Sequence, residues 1–155
     1  MQSAYVTQPF SITVLCDADR KSTTRSAIFL RPNLISWWSY KQHVITRSST
    51  KAEYRSLAQS LADIIWIQAL LKELYISSST PVMVSGNQSV VVIVNNPVFQ
   101  SKTKYMEIDV FCVRDQVLSK QLEVYHIPSL DKWADILTKP CSSNRFELLR
   151  HKLDV

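Results

Sequence analysis

The chain alternates apolar and polar positions at its start and later changes period. Residues 11–16, Ser-Ile-Thr-Val-Leu-Cys, alternate and are rich in β-branched side chains, which predicts a strand. Polar residues 20–24 predict a connector to a second strand at 26–30. Arg31-Pro32-Asn33 predicts a turn, and residues 34–40 a third, aromatic strand. Such short connections predict an antiparallel meander. From 47 to 75 the period becomes helical, with Leu57, Leu61, Ile64, Ile65 and Leu71 in phase and no Gly or Pro to interrupt them. Ser48, Ser49 and Thr50 offer N-caps. Thr50-Lys51-Ala52-Glu53 has the form of a capping box, in which Glu53 bonds back to the Thr50 N–H. The same helical phase sets Glu53 beside Leu57, Ser60 and Ile64, at the edge of the core-facing stripe. Glu53 is therefore either a cap or an acid held ready for chemistry.

Residues 77–81 predict a loop, and 82–85 a short buried strand. A strand reached by a long crossover helix is expected to run parallel to the first. Val90 to Val94 is β-branched and locally favours a strand, although Asn95-Asn96-Pro97 stops it within a few residues. Met106, Val110, Val113 and Val117 predict a helix within 101–120, and residues 122–127 a last strand ended by Pro128. Short helices are expected at 131–137 and 144–153. The sum is an α/β chain with a mixed five-stranded sheet: three antiparallel strands, then parallel ones, with helices on both faces. The expected boundaries are a lead-in at 1–10, one domain at 11–140 and a C-terminal helical tail at 141–155.

Composition narrows the classes. The 155 residues are 46% hydrophobic and 20% charged, enough for a single globular core. The net charge of +5 is compatible with a polyanionic partner. Cys16, Cys112 and Cys141 are odd in number and widely spaced, which argues against a disulfide framework and for a reducing intracellular compartment, nucleus or cytoplasm. No apolar run has membrane-spanning length and no signal pattern opens the chain. His43, His126 and His151 have no metal-ligand spacing. Lys41, Arg47, Arg55, Lys102 and Lys104 could line a groove for a nucleic-acid backbone or simply scatter over the surface. Trp37-Trp38 could stack on bases, though strand alternation is expected to bury one of the pair. The outlying number is glycine: ordinary usage would give roughly eleven, and there is one, Gly86.

The first strand ends in Asp17-Ala18-Asp19. If strands one and four are parallel neighbours, their C-terminal ends lie side by side, where such sheets place their ligand sites. Asp17 marks one end and Gly86 the other, and Glu53 and Asp135 could converge there. Clustered carboxylates suit hard divalent cations such as Mg²⁺, two of which stabilise the attacking and leaving oxygens of phosphodiester hydrolysis.

An ordered set of segments then resembles a family. They are Cys16-Asp17-Ala18-Asp19, Asn33-Leu34-Ile35-Ser36-Trp37, Arg47-Ser48-Ser49-Thr50-Lys51-Ala52-Glu53-Tyr54-Arg55, Asn87-Gln88-Ser89, Asn96-Pro97-Val98-Phe99, Thr103-Lys104, Glu107-Ile108-Asp109, Val113-Arg114 and Ala134-Asp135-Ile136-Leu137-Thr138-Lys139-Pro140. Together they resemble the ribonuclease H domain at the C-terminus of copia-type retrotransposon Pol polyproteins, from about residue 11 onward. The resemblance implies a ribonuclease H-like fold and a short helix, not a strand, after Asn87. It implies Mg²⁺- or Mn²⁺-dependent cleavage of RNA in an RNA–DNA hybrid, the expected partner. It maps the catalytic, metal-holding acids to Asp17 (Asp19 less well), Glu53 and Asp135, and nucleic-acid contacts to Arg47, Arg55, Asn87 and Gln88.

The departures from that pattern bear on activity. The family's remaining acid precedes Asn-Gln-Ser, and here that position is Gly86. Arg20 follows Asp19 where a Trp-Ala-Gly loop is usual, and Arg25 and Arg31 stand where glycines are usual. Lys51 replaces an acid, and Tyr105 and Phe111 replace histidines. The resulting expectation is a decayed or truncated element copy whose cleavage is impaired by the lost acid. The alternatives are an active nuclease in which Asp19 or Asn87 substitutes, and a non-catalytic nucleic-acid-binding or decayed α/β domain.

Overall fold

The computed structural model describes residues 9–18, 23–41, 48–96, 107–128, 142–144 and 147. Strands β1 (Ile12–Ala18), β2 (Thr23–Leu30) and β3 (Asn33–Lys41) form the antiparallel meander that the short connections predict. Helix α1 (Ser49–Glu73) crosses to β4 (Val82–Ser85), which pairs parallel to β1. Helices α2 (Gln88–Asn95) and α3 (Glu107–Leu118) lead to β5 (Glu123–His126), parallel to β4. The order β3-β2-β1-β4-β5 puts β1 at the centre of a mixed five-stranded sheet.

Strand alternation divides the core in two. Ile12, Val14 and Cys16 of β1 share one face with Ile28, Met83 and Val124. Onto that face pack Tyr54, Leu57, Leu61, Ile64, Ile67 and Leu71 of α1, Val90 and Val94 of α2, and Val113 of α3. The other face carries a small cluster of Leu15, Ala27 and Phe29, flanked by Leu34 and Val84. All three described helices thus cover one face of the sheet. The helices expected at 131–137 and 144–153 lie outside the described residues, apart from Asn144 and Glu147, and so does most of the lead-in at 1–10.

Three local findings refine the pattern: one moves a strand boundary, one bears out the short helix after Asn87, and one decides among the offered caps. First, β2 begins at Thr23, not at 26, because Thr24, Arg25 and Ser26 are buried strand residues and not a solvated connector. Second, Val90–Val94 is helical despite its β-branched composition. The Asn87 side chain caps α2 by accepting from the Ser89 N–H at 3.0 Å, and Val90 and Val94, four apart, bury on one side. Third, Ser48 caps α1, its Oγ accepting from the Lys51 N–H at 3.4 Å. Glu53 is then the fifth helical residue, two positions too far along for a capping box.

Glycine is absent where the backbone is left-handed. Tyr75 follows α1 at φ 57°, with Tyr75 N–H donating to Lys72 and Ile76 N–H to Leu71. Lys120 follows α3 at φ 57°, with Lys120 N–H donating to Val117 and Gln121 N–H to Gln116. Both are Schellman closures, whose left-handed residue is usually glycine. Arg31, at φ 56° in the β2–β3 turn, lays its guanidinium 4.1 Å from the Phe10 ring centre. Gly86 itself has no positive φ.

Candidate active site

The site forms where β1 and β4 end together. Their register pairs Cys16 with Ser85, so one further step brings Asp17 and Gly86 abreast. Two serines of α1 seat the helix on this strand end. Ser56 Oγ lies 3.3 Å from the Asp17 carbonyl oxygen and 3.2 Å from that of Arg25, and its hydroxyl donates there. One turn on, Ser60 Oγ donates to Ser26 Oγ at 2.9 Å and accepts from Cys16 Sγ at 3.2 Å. Small polar side chains at these two positions let the helix approach the strands closely. Glu53 lies one turn before Ser56, buried at 3% exposure, and Asp17 is equally buried.

The two acids act on a common neighbour. Burial pushes the Cys16 thiol up to about 12, and the negative charges of Glu53 and Asp17 add to the shift while hydrogen bonding with Ser60 and Ser26 opposes it. Asp17 and Glu53 are therefore within electrostatic range of one side chain at the end of β1. Asp135, Asp19 and Arg47 lie outside the described residues, as do Lys102 and Lys104. Arg55 is half-buried and Gln88 exposed. The Asn87 side chain is engaged in capping α2, while its N–H donates to Ser85 Oγ at 3.2 Å. Trp37 is exposed; Trp38 is half-buried, donating Nε1–H to Asp63 at 2.8 Å and stacking on Tyr40, so alternation separates the pair without fully burying either.

Arg25 is the residue whose role sequence reasoning missed. It pairs with Asp17 across the β1–β2 ladder, and its Nη1 donates to Asp17 Oδ2 at 2.8 Å. Both side chains are buried, at 7% and 5% exposure. The signal was present: Arg25, Ala27 and Phe29 alternate, which extends the strand backward through the arginine. The described residues do not fit a two-ion site. Asp17 already bears a cation, position 86 has no carboxylate, and among the described residues no three Asp, Glu, His or Cys side chains form a metal-binding group.

No protein-family model matches the chain. It is 41% identical over 138 residues to the retrovirus-related Pol polyprotein from transposon RE2 of Arabidopsis thaliana, covering 88% of this chain and 10% of that polyprotein. It is 30% identical over 132 residues to the Pol polyprotein from transposon TNT 1-94 of Nicotiana tabacum, covering 85% of this chain and 10% of the relative. Among solved structures, LC11-RNase H1 in complex with an RNA/DNA hybrid superposes with a TM-score of 0.58 at 14% identity, over 79% of this chain and 88% of that one. The chain has the ribonuclease H-like fold and is similar in sequence to copia-type Pol polyproteins. This ribonuclease H-like domain spans about a tenth of the length of the curated relatives it matches. No helix among its described residues is long and apolar enough to cross a membrane.

Proposed function

We propose that this domain is a ribonuclease H-type module that binds RNA–DNA hybrids and whose cleavage is impaired. The observation that supports the reading is that Asp17, at the end of β1, and Glu53, on α1, are each buried and both bear on Cys16, while the position abreast of Asp17 is Gly86. In this reading Asp17, Glu53 and Asp135 are what remains of an acid set for Mg²⁺ or Mn²⁺. Loss of one ligand from a two-ion site weakens both metal binding and stabilisation of the transition state. Asn87 does not compensate, because its side-chain oxygen is committed to the α2 cap. Arg47, Arg55 and Gln88 are proposed to meet the hybrid backbone, with the net charge of +5 favouring a polyanion.

The test is a fluorescently labelled RNA–DNA hybrid titrated with the chain at several salt concentrations, alongside a cleavage assay in Mg²⁺ and in Mn²⁺. Binding that weakens steeply with salt, with no cleavage above the protein-free control, is the expected result. Robust metal-dependent cleavage by the unmodified chain would overturn the impairment. Binding indifferent to salt would overturn the basic groove.

A further inference from the structure

We propose that Arg25 is a built-in counter-cation at this site, and that it, as well as the missing acid at position 86, keeps divalent metal out. Arg25 reaches Asp17 from the paired position of the adjacent strand, so the ladder itself fixes the contact. The 2.8 Å bond between buried groups is a charge-assisted one, made where water cannot compete. A buried carboxylate needs a compensating positive charge, which a protein group or a bound ion supplies. Here the chain supplies it covalently. A metal ion approaching Asp17 would have to displace a guanidinium that has no solvent to move into, and would meet its positive charge if it stayed.

The Ser56 hydroxyl reinforces the arrangement by bonding the main-chain carbonyls of both residues. The carboxylate is therefore held against its partner by backbone on each side. Repair of position 86 alone would add a ligand to a site that still contains a competing cation. Hybrid binding plays no part in this inference, so a failure of the domain to bind nucleic acid leaves it standing.

The experiment measures uptake of Mn²⁺ by the loss of the free-ion paramagnetic signal, and thermal midpoints in EDTA and in Mn²⁺. The chains compared are the unmodified protein, Asp17→Asn, Gly86→Asp, Arg25→Gly and the double variant Gly86→Asp/Arg25→Gly. The unmodified chain and Gly86→Asp are expected to take up no more Mn²⁺ than Asp17→Asn does, and to melt at the same temperature with and without the ion. Arg25→Gly is expected to melt on the order of 10 °C lower in EDTA, because Asp17 loses its partner. The double variant is expected to bind Mn²⁺ and to melt higher in its presence, since a ligand bound only by the folded state stabilises it. Mn²⁺ uptake by the unmodified chain that Asp17→Asn abolishes would overturn the proposal. So would uptake by Gly86→Asp equal to that of the double variant. Even if Arg25→Gly does not fold, the three chains that retain Arg25 can overturn the proposal: Mn²⁺ uptake by the unmodified chain or by Gly86→Asp above that of Asp17→Asn is enough.

Discussion

The two faces of the sheet are buried by different means. On the α1 side, a continuous apolar cluster from three helices closes over Ile12, Val14, Ile28, Met83 and Val124. Where α1 meets the strands the polar side chains are neutral and short, Ser56, Ser60, Ser26 and the Cys16 thiol, bonded to one another or to backbone, while the buried charges of this side, Glu53 and Arg114, are carried by the helices. On the other side, Leu15, Ala27 and Phe29 form a small cluster, and the next residues along the same alternation are Asp17 and Arg25. One face draws its stability from area removed from water, roughly 25 cal/mol per Å². The other contains an ion pair whose two charges were costly to desolvate and are costly to separate. A buried charge becomes a reactive or binding group only when its partner can be exchanged, and here the strand ladder holds Arg25 against Asp17.

Substitutions can break this contrast. Arg25→Ala is expected to have the largest effect, about 3–5 kcal/mol of destabilisation, because it leaves a buried carboxylate uncompensated. Replacing both members, Asp17→Leu with Arg25→Met, is expected to restore the loss or exceed it by up to about 4 kcal/mol, since an apolar pair has no desolvation cost. Chemical denaturation of the single and double variants measures both. Leu57→Ala, in the large cluster at 0% exposure, is expected to cost about 2–5 kcal/mol by transfer and cavity formation. Leu15→Ala, in the small cluster at 9% exposure, is expected to cost less than Leu57→Ala. Equal losses would show that the two faces pack alike.

Alkaline pH probes the buried thiol and phenol of the α1 side. The Cys16 thiol stands at about 12, above its ordinary 9.0, chiefly through burial. A group raised on folding contributes stability that is complete below its unfolded value and lost as pH climbs toward its folded one. Unfolding midpoints are therefore expected to fall from about pH 9 upward. Burial raises the Tyr54 hydroxyl in the same direction, so Cys16→Ala should reduce the slope without abolishing it. Iodoacetamide is expected to label the exposed Cys112 in the native protein and leave Cys16 untouched. The smallest expected effect is a gain: Tyr75→Gly, at an exposed left-handed closure, is expected to add on the order of 1 kcal/mol.

Most of the architecture was legible because it is periodic. The alternation of 11–16, the uninterrupted helical phase through Leu57, Leu61 and Ile64, and the short apolar run at 82–85 each name their element and its inner face. Valines 90–94 show where propensity yields: the cap at Asn87 and two buried side chains outweigh a β-branched composition worth a few tenths of a kcal/mol per residue. The Asp17–Arg25 pair was legible only in part. Alternation with Ala27 and Phe29 carries the second strand back through Arg25, but that it faces Asp17 is fixed only by the strand register. Likewise, a capping box and a buried acid give Glu53 the same local sequence. Only the position of the real cap, Ser48, separates them.

The lone glycine carries one more consequence. Since Gly86 holds no positive φ, its backbone asks for nothing that an ordinary L-residue lacks. What is missing there is a side chain and no part of the chain's path. The Gly86→Asp step thus restores composition without remodelling geometry, and the way back to a fuller acid set is measured in single substitutions. Tyr75, Lys120 and Arg31 stand in the reverse situation: the path is left-handed, and glycine, which would follow it without strain, does not stand there. At the strand end the glycine alters chemistry and leaves the fold alone; in the turns a side chain on a left-handed residue is a steady cost to folding.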